Sequence, residues 1–98
     1  MYKDKNGRQI KKGDIVHCLY DDSYEYVFSG CDEYGRDSLG LNANNIDYLE
    51  LHPEQELQIY PFEDFDMNDF EVAEGTVEDN ISKFTDRYIR LLKARGVL

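Results

Sequence analysis

The sequence predicts a mainly β, single-domain α+β fold: a small barrel or bent antiparallel sheet covered by one C-terminal helix. Three observations lead there. Two tight-turn signals, Asn6-Gly7 and Lys11-Lys12-Gly13-Asp14, flank a short strand at Gln9-Ile10, which starts a strongly curved sheet. Tyr24–Ser29 alternates with period two, setting Tyr24, Tyr26 and Phe28 on one face and Glu25, Val27 and Ser29 on the other. The stretch after Thr76 carries the clearest helical stripe. Ninety-eight residues suit one domain with one modest core. We divide it into a sheet region, 1–61, an acidic–aromatic segment, 62–75, and a helix, 76–96.

In chain order, Ile15–Leu19 reads as a strand with Val16 and Cys18 on one face and Ile15, His17 and Leu19 on the other. Asp21-Asp22-Ser23 turns the chain into the alternating strand. Residues Gly30–Gly35 form the next turn, Arg36–Leu41 a weaker strand and Asn42–Asn45 a polar loop. Ile46–Leu51 returns to a strand pattern that His52-Pro53 ends, and Leu57–Tyr60 is a last strand stopped by Pro61.

The segment FEDFDMNDFEVAEG interleaves Phe62, Phe65, Met67, Phe70 and Val72 with Glu63, Asp64, Asp66, Asp69, Glu71 and Glu74. Such a composition suits a disordered docking segment. The favoured reading is a loop or edge strand pinned to the core by its phenylalanines, because each exposed Phe forgoes about 1.5–3 kcal/mol. Thr76 with Asp79 then forms a capping box for a helix over Val77–Arg95, and Gly96 follows it as the C′ residue. Val77, Ile81, Phe84, Tyr88, Leu91 and Leu92 make its buried stripe; Lys83, Arg87 and Arg90 make a solvated basic face, with Asp79–Lys83 and Asp86–Arg90 as i,i+4 pairs.

The opening KDKNGRQIKKGDIV supplies Asp4, Gly7, Ile10, Gly13, Asp14 and Val16 in a pattern close to D-x-x-G-x-x-I-x-x-G-D-x-V. It resembles the start of YopX-like proteins of Gram-positive phages and prophages, and more loosely of other SH3-like barrels. The resemblance covers about a seventh of the chain. It implies a small SH3-like β-barrel of mobile-element origin without an established activity, and it carries no catalytic residues.

Charge is unevenly laid out. The chain has a net charge of −10. Residues 1–13 hold Lys3, Lys5, Arg8, Lys11 and Lys12 against Asp4; residues 83–95 hold Lys83, Arg87, Arg90, Lys93 and Arg95 against Asp86. Between them nineteen acids face one base, Arg36. Such a field favours cationic partners and disfavours nucleic acid on the middle surface.

Chemical signatures are few. Asp64, Asp66 and Asn68 match the start of an EF-hand loop, but Asp69 stands where Gly is needed and Gly75 where Glu is needed. His17, Cys18, Cys31 and His52 lack the close pair spacing of a zinc site, so the cysteines read as free thiols. No Gly-x-Ser-x-Gly or phosphate-cradling loop occurs. We expect no enzyme, metal or cofactor.

With no apolar run of about 18 residues and no secretory h-region, the expectation is a cytoplasmic protein without a membrane span. The favoured function is an acidic interaction module docking on a basic host protein. At its extreme it is a nucleic-acid mimic inhibiting restriction, CRISPR or transcription machinery. Its expected contacts are Glu63, Asp64, Asp66, Asp69, Glu71 and Glu74, with Phe65 and Phe70 as anchors. The alternatives are an SH3-like nucleic-acid binder, using the basic ends with Tyr24 and Tyr26 as stacking rings, and an acidic domain whose charge serves solubility alone. Basic ends and an acidic middle leave monomer and dimer equally open.

Overall fold

A computed structural model describes residues 1–31 and 33–98. Six strands and two α-helices follow in order: β1 (Ile15–Cys18), β2 (Ser23–Tyr26), β3 (Phe28–Cys31), β4 (Asp37–Asn42), α1 (Ile46–Leu51), β5 (Ile59–Pro61), β6 (Phe70–Val72) and α2 (Asp86–Ala94). They build two antiparallel three-stranded sheets, ordered β2-β1-β6 and β3-β4-β5. Among the described residues no ladder closes these sheets into one barrel.

The alternating stretch behaves as its pattern predicts, with one break. Val27 separates β2 from β3 and hands the chain from one sheet to the other. Its amide donates to the Asp14 carbonyl at 2.9 Å, and its carbonyl accepts from the Gly13 amide at 3.0 Å. Gly13 holds a φ of +91°, which suits glycine at that turn. Period two persists through the break. Tyr24, Tyr26 and Phe28 pack into one core with Ile15, Leu49, Ile59, Phe84, Tyr88, Leu91 and Leu92. Val27 enters a second core with Ile10, Val16, Cys18, Leu41, Phe62 and Phe70. β1 therefore lies between the two cores, with Ile15 in one and Val16 and Cys18 in the other, the faces its sequence assigns.

Asp4 closes the molecule. Its carboxylate accepts from the amides of Asn6 (2.9 Å), Arg8 (2.9 Å) and, from β6, Val72 (2.8 Å). The side chain is almost wholly buried. Burial pushes its pKa up, but the amides of Val72, Arg8 and Asn6 outweigh that and hold it below the usual carboxylate value. The turn at Asn6-Gly7 thus anchors the first residues to the last strand; Gln9-Ile10, expected as a strand, makes only a single bridge, Lys3 to Gln9.

Three expectations are corrected. Ile46–Leu51 is a helix, not a strand. The Asn45 side chain caps it by accepting from the Tyr48 amide at 3.1 Å, and Ile46 and Leu49, three apart, face the first core. The terminal helix is shorter than Val77–Arg95. Thr76 and Asp79 do exchange capping bonds, at 2.9 and 3.2 Å, but only turns follow. Buried Asn80 instead donates to the Glu74 and Thr76 carbonyls, and Phe84 is extended, which turns its ring into the core. Thr85 then caps α2 through the Tyr88 amide. Ile81, expected in the buried stripe, is 41% exposed. The strand placed at Leu57–Tyr60 runs instead over Ile59–Pro61. Asp32, part of the turn expected at Gly30–Gly35, lies outside the described residues.

Candidate functional site

The acidic–aromatic segment is pinned, as favoured. Two 3-10 turns, Phe62–Asp64 and Met67–Asp69, lead into β6, which pairs with β1 in the register Cys18 to Phe70. Phe62 and Phe70 have no exposed surface, and Phe65 packs edge-on against Phe70 at 5.3 Å. Phe70 is therefore core and is corrected as a partner anchor; Phe65, half-buried, is held in the same ring cluster.

The segment's acids divide into two groups. Glu63 pairs with Arg36 (3.3 Å), Glu71 with Lys5 (2.9 Å) and Glu74 with Arg8 (2.7 Å). The Lys5 ammonium holds Glu71 below the usual carboxylate range. Asp64, Asp66 and Asp69 form no ion pair among the described residues; Asp66 accepts from the Asn68 amide at 3.0 Å, capping its turn. At the other basic end, Arg87 and Arg90 turn to α1, pairing with Asp47 and Glu50 rather than with acids of their own helix. Asp79–Lys83 and Asp86–Arg90 do not form. Lys5 and Arg8 at one end, and Arg87 and Arg90 at the other, thus spend charge inside the fold, while Asp64, Asp66 and Asp69 of the 64–69 turns keep theirs.

Beside those turns a groove of about 520 Å³ opens along β5. Tyr34 and Tyr60 stand on it 74% and 57% exposed, with Glu33, Arg36 and Asp64 around them. Ile59 and Pro61 underlie it, both buried. No local pattern signals this groove, because Tyr34 and Tyr60 lie 26 residues apart in separate loop and strand signals.

The other candidates do not assemble. Cys18 lies in the second core and Cys31 at the end of β3; both are free thiols. His17 stacks on Tyr24 at 4.4 Å and bonds Asp22, while His52 caps α1 beside Tyr48. Among the described residues no group of three His, Cys, Asp or Glu side chains is placed to hold a metal ion. Tyr24 is sandwiched between His17 and the Lys83 ammonium, 4.8 Å from its centroid, so it offers no open ring for a base. The Cys31 thiol is raised to about 11 by hydrogen bonds to Glu56 and Asp37, each at 3.4 Å, which suppresses its thiolate.

One titratable group was not singled out by sequence. Glu25 on β2 accepts from the Cys18 thiol at 3.9 Å and forms no ion pair among the described residues. Burial, then the Asp21 charge, raises its pKa to about 7, against a smaller lowering by the Cys18 hydrogen bond. Burial and the Glu25 charge raise Cys18 in turn to about 12, so this thiol is no nucleophile.

The consequence is a pH dependence of stability. The folded state holds the Glu25 proton more tightly than the unfolded chain, with its ordinary 4.5. The stabilisation is full below that value and is lost as pH rises through about 7. Asp4 acts oppositely: its contribution is present above 3.8 and is lost as pH falls further. Urea unfolding should therefore show greater stability at pH 5 than at pH 8. Glu25→Gln should flatten that difference and gain on the order of 2 kcal/mol at pH 8. A variant that keeps the parent's pH dependence would refute the assignment.

No family model, curated protein or solved structure matches the chain. Among the described residues no helix is long and apolar enough to cross a membrane.

Proposed function

We propose that this chain is a non-enzymatic interaction module that docks its acidic 64–69 face on a basic protein surface. In the strongest form of the proposal that surface is the nucleic-acid channel of a host enzyme, and the chain is its inhibitor. The carrying observation is the division of charge: Lys5, Arg8, Arg87 and Arg90 are paired with acids of the fold, while Asp64, Asp66 and Asp69 form no ion pair among the described residues. Those four bases, held in pairs, are less available to nucleic acid. The two sheets are consistent with the halves of an SH3-like barrel, because Ser23–Cys31 serves both sheets through Val27. This supports the fold implied by the opening motif.

The test is retention of cytosolic proteins on the immobilised chain. Retention should fall steeply with salt, since exposed charges are screened within about 8–10 Å, and duplex DNA should displace what is retained. The triple variant Asp64→Lys, Asp66→Lys, Asp69→Lys should retain little, chiefly through slower association. Retention equal to the parent's would mean the charge serves solubility.

A further inference from the structure

We propose that the groove along β5 is an arginine-recognition site, and that Arg36 occupies it as a stand-in for an arginine of the partner. The proposal rests on the docking reading above and names the group that reading would recognise. Three observations support it.

The first is that a guanidinium already lies there. The Arg36 Cζ stands 5.2 Å from the centroid of the Tyr34 ring, and its Nη2 is 3.3 Å from the Glu63 carboxylate. A planar, weakly hydrated guanidinium stacks on an aromatic face and forks onto a carboxylate at once; an ammonium does not match both contacts.

The second is that the groove offers a further set of the same groups. Tyr60 presents a second exposed ring, and Asp64 on the rim forms no ion pair among the described residues. An incoming arginine thus meets the ring-plus-carboxylate chemistry that Arg36 meets on Tyr34 and Glu63.

The third is that the Arg36–Glu63 pair is exposed. The Arg36 and Glu63 side chains are 63% and 48% exposed. An exposed pair of this kind holds weakly. Arg36 is also the one base between Asp14 and Ser82, so the only cation in the acidic stretch lies in this groove. Arg36 then acts as a competitor: it shields the groove while the chain is free and yields it to a partner of higher local charge.

A labelled hexa-arginine peptide, with hexa-lysine as its charge-matched counterpart, tests this by fluorescence anisotropy on the full chain. The parent should prefer the arginine peptide by about five-fold or more. Tyr60→Ala should remove most of that preference while hexa-lysine binding changes little. Arg36→Gln should bind hexa-arginine about two- to five-fold more tightly, and more tightly than Lys93→Gln, which removes one positive charge from exposed α2. Equal affinity for the two peptides, or weaker arginine binding by Arg36→Gln, would overturn the proposal.

Melting curves run alongside show whether Tyr60→Ala is folded; if it is not, Asp64→Asn takes its place, with the same loss expected. The triple lysine variant separates the two readings. If it binds hexa-arginine as the parent does, both fail. If it loses binding while the parent shows no preference for arginine, only the arginine site fails.

Discussion

Phe70→Ala should cost about 3–5 kcal/mol, a large share of the stability of a domain of this size. Phe70 has no exposed surface and meets Phe62 and Phe65 edge-to-face at 5.4 and 5.3 Å. Truncation leaves a cavity between rings that cannot collapse without moving β6. The loss also reaches backbone bonds, because the Phe70 carbonyl accepts from the Lys5 amide at 3.0 Å and the residue sets the β1–β6 register. The midpoint of urea unfolding should fall accordingly. An unchanged midpoint would free the ring from the core and restore it as a partner contact, so the variant separates packing from docking at one position.

Gly40→Ala should be nearly as damaging, for a steric reason. Gly40 is central in its sheet, opposite Phe28 on one side and Pro61 on the other. A Cβ there would collide with the Tyr60 carbonyl oxygen and lie 2.8 Å from its carbonyl carbon. The obstacle is backbone, not the end of a flexible side chain, so β4 and β5 must separate. We expect a loss at the upper end of about 1–3 kcal/mol or beyond. Amide exchange should quicken in β4 and β5 before it does in β1 and β2. Uniform exchange with unchanged stability would contradict the close approach.

What was legible in the sequence was whatever depends on near neighbours. Gly7 and Gly13 mark their turns by positive φ, and the alternation of Tyr24, Val27 and Phe28 sorts side chains between two cores. Thr76 and Asp79 form their reciprocal bonds. The failures came where a distant group outbid a local preference. Asn80 and Phe84 are drawn to the core and stop a helix that had a valid cap. Ile46–Leu51 carries a strand pattern, but the cap at Asn45 together with packing against α2 makes it a helix. Sequence distance likewise hides the pairing of Glu63, Glu71 and Glu74 with Arg36, Lys5 and Arg8. That Asp64 forms no ion pair among the described residues, and that it lines the Tyr34–Tyr60 groove, is a property of the folded arrangement alone.

The position of β1 between β2 and β6 also orders events during synthesis. Its pairing with β2 needs only the next few residues, whereas its other edge waits for Phe70–Val72. The Asp4 carboxylate likewise waits for the Val72 amide, 68 residues away. At roughly 5–20 residues per second, several seconds separate the emergence of β1 from that of its second neighbour. During that interval a nascent chain presents an open apolar edge carrying Ile15, Val16 and Cys18, with a basic arm attached and the acids that will neutralise it not yet made.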